Sequence, residues 1–207
     1  MSRRAAKAQQ GKAGNPVIRG VLDSAYKLQK SGNLTQAEML YHRALQGEPG
    51  NPFALYGLGT IAMARGGFGE AIPLLKRALA NGYSAETVYT HLGIAQQTAG
   101  QPKDALATYR AGMALDPRNP RYPSNASVVL VQLGDPEAGL LEALRAVSLD
   151  PAFASAHLNA GSILDALGRH GEARAALETA VRLEPDNAEA KEALGRVLQK
   201  IVVGAEG

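Results

Sequence analysis

The run Gly57-Leu58-Gly59-Thr60-Ile61-Ala62 has the spacing of a phosphate-cradling loop. Such glycines let a backbone approach a dinucleotide pyrophosphate where a strand turns into a helix. No strand-like alternation precedes Gly57, so the run reads as helix interior. The four histidines, His42, His91, His157 and His170, include no pair at i, i+4, which leaves no helical metal motif. His157 is expected on a packed inner face. With no cysteine, the chain has no disulfide, no thiolate metal site and no cysteine nucleophile. Neither a Ser-His-Asp set nor a carboxylate pair is spaced for catalysis. Asn33-Leu34-Thr35 and Asn125-Ala126-Ser127 are glycosylation sequons, empty without secretion. The expectation is a non-enzymatic chain with no cofactor and no metal.

What remains is recognition without covalent chemistry. The candidate contact residues are Tyr26, Phe53, Tyr56, Thr60, Met63, Thr90, Ile94, Gln97, Arg121, Asn125, Val128, Ser155, Leu158, Asn159 and Asp165. Aromatic and aliphatic side chains dominate, and charge is sparse. Such a set suits an amphipathic helix or an extended apolar peptide, anchored by Phe53, Tyr56, Met63 and Ile94. Asn125 and Asn159, 34 positions apart, are placed to hydrogen-bond a peptide backbone.

These residues need elements that bring them to one face, and a strict period supplies them. Gly32, Gly66, Gly100, Gly134 and Gly168 recur every 34 residues; so do Ala37, Ala71, Ala105, Gly139 and Ala173. A fixed interval of this size marks a stacked repeat rather than a single-core domain. Each unit carries two amphipathic stretches joined at its glycine. Val21, Leu22, Ala25 and Leu28 share one helix face; Ala37, Leu40, Tyr41 and Ala44 share the next. So short a turn makes the pair antiparallel.

The expected units are 18–51, 52–85, 86–119, 120–153 and 154–187. A capping helix over 188–203, apolar on Ala190, Ala193, Leu194, Val197, Leu198 and Ile201, follows, then a flexible end, 204–207. Unit two closes on Ala80-Asn81-Gly82-Tyr83 where other units place proline. In unit four, Pro120 and Pro123 predict a helix that opens late, near Tyr122. Gly59, Gly93, Gly161 and Gly195 are expected where the partner helix approaches closely. Glycine there costs about 1 kcal/mol against alanine and needs a packing gain to offset it.

Composition agrees with this class. Hydrophobic residues are 45% of the 207 and aromatics only 5%, with no tryptophan, as in helices packed through small side chains. The net charge of +3 is uneven: Arg3, Arg4, Lys7 and Lys12 give residues 1–17 a charge of +4, so the rest carries −1. Residues 1–17 read as a disordered basic tail. The near-neutral remainder has no basic stripe for nucleic acid. No apolar run spans a membrane and no apolar core follows the N-terminal charges, so a cytoplasmic protein is expected.

Leu58-Gly59, Gly66, Ala71, Leu75 and Ala78, with Leu92-Gly93, Gly100, Ala105, Tyr109 and Pro117, and Gly161, Gly168, Ala173, Leu177, Ala180 and Pro185, resemble the tetratricopeptide repeat. The resemblance covers residues 18 to about 201. It implies an all-α fold, a right-handed solenoid of five antiparallel helix pairs plus the capping helix, whose first helices line a groove. In function it implies an interaction scaffold or adaptor that binds a peptide or helix there. Relatives that hold acidic chaperone tails use a clamp of Lys, Asn and Arg; here those places hold Leu22, Tyr26, Gly57, Thr87 and His91, so that ligand is not expected. An asparagine ladder in some relatives gives Asn125 and Asn159 a precedent. Two other possibilities stay open: the substrate-recruiting N-terminal region of a larger enzyme such as a glycosyltransferase or sulfotransferase, and a self-assembling scaffold or homo-oligomer.

Overall fold

Asparagine and glycine set the helix boundaries in the computed structural model, which describes residues 15–205. Asn15, Asn33 and Asn51 each turn a side-chain oxygen onto a backbone N–H of the helix that follows. The turn glycines Gly32, Gly66, Gly100, Gly134 and Gly168 all take positive φ, between 76° and 85°, and so stop the preceding helix. Eleven helices result, with no strand among the described residues. The chain divides into two compact units, Met1–Gln101 and Pro102–Gly207. The division falls inside the third 34-residue repeat.

The first unit holds α1 (Pro16–Lys30), α2 (Leu34–Gly47), α3 (Pro52–Ala64), α4 (Phe68–Ala80) and α5 (Ala85–Thr98). α1 pairs with α2 and α3 with α4, while α5 packs on α4. The first helices α1, α3 and α5 are also neighbours in that order. The core runs from Ala25, Ala37 and Tyr41 through Leu58 and Ile61 to Leu75, Val88 and Leu92. Gly57 and Gly59 fit between helices: a Cβ on Gly57 would overlap the Tyr41 ring, and one on Gly59 would lie 3.0 Å from Leu75. The closer contact offsets the helix-propensity cost of glycine.

The second unit holds α6 (Pro102–Leu115), α7 (Arg121–Gln132), α8 (Pro136–Leu149), α9 (Ala154–Ala166), α10 (His170–Leu183) and α11 (Ala188–Ala205). α7 pairs with α8 and α9 with α10; α6 packs on α7, and α11 on α10. Leu140, Ala143, Leu158, Ile163, Leu177 and Val197 belong to its core. α3 and α9 open at Pro52 and Ala154, which places the equivalent start of α7 at 120. It opens at Arg121 instead, one residue late and one before Tyr122. Pro123 falls in the first turn, where its missing N–H costs no helical hydrogen bond.

Several expectations change. α1 begins at Pro16 rather than Ile18, so the basic tail ends earlier; residues 1–14 lie outside the described residues. α11 continues to Ala205, past the expected end at 203, and of the flexible end only residues 206–207 lie outside the described residues. Gly161 would meet Leu177 at 2.6 Å, as a close approach requires, but a Cβ on Gly195 would meet nothing within 4 Å. No second helix covers Gly195, so close packing does not explain it. His157 is not packed on an inner face: it is half-buried, with Nε2 3.0 Å from the Pro151 carbonyl.

Candidate protein-binding face

In the first unit the candidate residues of α1, α3 and α5 meet around an aromatic cluster. Tyr26 packs edge-on against Phe53 with centroids 5.9 Å apart. Phe53 reaches Tyr41 and Tyr83, each at 6.2 Å. Tyr83 stacks on Tyr56 at 4.2 Å, and Tyr56 meets the His91 ring edge-on at 5.5 Å. Tyr26 is exposed; Phe53, Tyr56, Thr60, Met63, Thr90, Ile94 and Gln97 are half-buried. Half-burial is the state in which a side chain is held by its neighbours and still has surface for a ligand.

A chain of hydrogen bonds holds α1, α2 and α3 in place under this face. Tyr41 Oη donates to Gln29 Oε1 (2.8 Å), Gln29 Nε2 donates to Thr60 Oγ1 (2.8 Å), and Thr60 Oγ1 donates to the Gly57 carbonyl (2.9 Å). The chain closes on itself, because the Tyr41 ring fills the space that Gly57 leaves open. Linked donors and acceptors of this kind polarise one another.

His91 Nδ1 lies 2.9 Å from the Thr87 carbonyl and 3.3 Å from Tyr56 Oη. A carbonyl can only accept, so Nδ1 carries the proton and, in the neutral ring, Nε2 is left as an acceptor. Tyr56 Oη accepts the second branch of that bond, which leaves its own proton for a ligand. Burial first, and then neighbouring phenols, raise the tyrosine pKa values here. Tyr83 is pushed up to about 12, with Tyr26 as its neighbour. Tyr56 and Tyr41 go higher still. All three are neutral hydroxyls at ordinary pH.

The second unit brings together a different set. Asn159 Nδ2 donates to both the carbonyl and the hydroxyl of Ser124, each at 3.0 Å. Its amide hydrogens are therefore engaged inside the fold. Asn125 is half-buried and, among the described residues, makes no hydrogen bond with its side chain. Arg121 lies over the Phe153 ring at 5.9 Å. Asp165 accepts from Lys200 Nζ at 2.7 and 2.8 Å and lies 3.0 Å from His170 Nδ1. Burial would raise the Asp165 pKa, but the Lys200 and His170 contacts outweigh it and hold the carboxyl below its usual range. Leu158 sits in the core cluster, 7% exposed, and presents no surface. Val128 and Ser155 are half-buried.

The residues missed from the sequence are Tyr83, Gln29 and Tyr41, which join the others into one cluster. Tyr83 carried a signal: it is where the closing proline of the repeat is absent. No cluster of His, Asp and Glu among the described residues has metal-binding size, and no described helix is long and apolar enough to cross a membrane.

Helix pairs at constant pitch, small residues where helices cross and polar or aromatic side chains along the first helices define a helical-repeat protein. Tetratricopeptide repeat models match residues 28–89, 90–152 and 154–187, and the chain belongs to the tetratricopeptide repeat family. No curated protein sequence matches it. Among solved structures, YrrB, described as a TPR protein with an unusual peptide-binding site, superposes with a TM-score of 0.68 at 23% identity, over 91% of this chain and 96% of its own. A tetratricopeptide repeat protein from Parabacteroides merdae gives 0.77 at 18% identity, over 93% and 76%. The first TPR of Spaghetti (RPAP3), bound to the HSP90 peptide SRMEEVD, gives 0.56 at 27% identity, over 57% and 96%.

Proposed function

We propose that the protein is a non-enzymatic interaction scaffold that holds a segment of a partner protein against the first helices. The observation that carries this is the half-buried aromatic face of α1, α3 and α5. α3 contains no charged residue, and α5 contains one acid, Glu86, beside His91. Aromatic side chains with few rotatable bonds bind at low entropic cost. The favoured ligand is an apolar or amphipathic segment, with Phe53, Tyr56, Met63 and Ile94 as anchors. Leu22, Tyr26, Gly57, Thr87 and His91 supply no Lys or Arg for a carboxylate clamp, which argues against an acidic chaperone tail. The peptide complexes of YrrB and RPAP3 relatives give this use of the fold a precedent.

The test is affinity capture with the wild-type chain and with the Tyr56→Ala/Ile94→Ala double variant. The same proteins should be recovered in much lower yield by the variant while its helical circular dichroism is unchanged. Equal yields would place binding elsewhere.

A further inference from the structure

The end of the second unit carries a helix-packing seat with nothing in it. In this chain a leucine of a second helix sits on a glycine of the first. Leu75 of α4 faces Gly59 of α3 at 3.0 Å, and Leu177 of α10 faces Gly161 of α9 at 2.6 Å, as measured from an added Cβ. Gly195 of α11 stands one 34-residue repeat after Gly161, and α11 packs on α10 as α9 packs on α8. Yet no atom lies within 4 Å of a Cβ on Gly195. Beside it, Leu198 is 41% exposed and Val202 58% exposed.

The usual occupant, a second helix after a tight turn, does not follow at the repeat position. Val202 stands where Gly66, Gly134 and Gly168 turn the chain, and α11 runs through it to Ala205. A β-branched residue resists the positive φ that such a turn needs.

We propose that a second copy of this chain docks on α11, antiparallel, with Leu198 of each copy seated on Gly195 of the other. α11 supplies both halves of the contact: a glycine seat and, one turn further on, the leucine that fills such seats in α3/α4 and α9/α10. A two-fold axis between positions 195 and 198 uses the same pair twice, as an isologous interface requires. The flanking charges do not oppose it. Arg196 is paired with Glu192 at 2.8 Å and Lys200 with Asp165 at 2.7 Å, so both cations beside the stripe are neutralised within their own chain.

Sedimentation equilibrium of the full chain tests this over the micromolar range. The wild type is expected to be in monomer–dimer exchange. Gly195→Leu has room in the monomer, so it should keep its helicity and raise the dimer dissociation constant at least about tenfold; Leu198→Glu should do the same. Leu141→Glu, at an exposed position on α8, should leave the constant unchanged. A wild type that stays monomeric overturns the proposal. So does a dimer whose dissociation constant neither Gly195→Leu nor Leu198→Glu alters.

Discussion

The Tyr83 ring lies on the Tyr56 ring with centroids 4.2 Å apart and 14° between their planes. Tyr83 belongs to the turn between α4 and α5, and its backbone N–H donates to the Ala78 carbonyl at 2.9 Å. The residue that ends one repeat thus supplies the underside of the proposed binding face. Proline, which closes other repeats, has neither the ring nor the N–H.

Tyr83→Ala is expected to destabilise the first unit by about 3 kcal/mol, in the range of large-aromatic truncations in a core. It should also loosen Tyr56 and so weaken partner capture. Urea denaturation followed by circular dichroism measures the first effect. A loss under about 1 kcal/mol would mean the ring packs far less tightly than its 8% exposure indicates.

The phenols give the protein a defined alkaline limit. An unfolded tyrosine ionises near pH 10, while Tyr83 ionises at about 12 and Tyr41, Tyr56 and Tyr109 above that. Between those values the folded state keeps protons that the unfolded state has lost. Their contribution is therefore complete below pH 10 and falls as pH rises, by about 1.4 kcal/mol per pH unit for each phenol at most. Tyrosinate absorbance and helical ellipticity, titrated together, should change together above pH 10. Free ionisation of these phenols near pH 10 with the helices intact would contradict the burial that raises them.

Repeat pitch, helix pairing and the position of the turns were legible because each rests on residue types at fixed intervals: glycine for positive φ, alanine for helix crossings. Half of the binding face was legible too, since Phe53, Tyr56, Thr60 and Ile94 follow from helical periodicity alone. Side-chain partnership was not. Asn159 lies at a groove position by register, yet its amide is turned onto Ser124. Leu158 lies beside it and points into the core. One helical step separates these fates, and period cannot resolve it when both neighbours are first helices. Gly195 misled for a related reason: register identifies the seat but does not say whether a helix fills it.

Gly112 and Tyr122 show a compensation within the repeat. At the paired positions other repeats carry Ala44 with Ala54, Ala78 with Val88, Ala146 with Ala156, and Ala180 with Ala190. Here a side chain has been removed from α6 and a larger one added on α7. A Cβ on Gly112 would lie 2.6 Å from Tyr122 Cε1, and Tyr122 is fully buried. Gly112→Ala should therefore destabilise the second unit by about 1–3 kcal/mol through overpacking, although alanine is the better helix former by about 1 kcal/mol. Tyr122→Val alone should destabilise by leaving a cavity. Together the two changes restore the Ala78/Val88 combination, so the double variant should be more stable than the sum of the single losses predicts, with a coupling of about 1 kcal/mol or more. A double-mutant cycle from urea denaturation measures that coupling. Strict additivity would mean that the Tyr122 ring can swing clear of position 112, and that the exchange of side-chain size between α6 and α7 is not what fits them together.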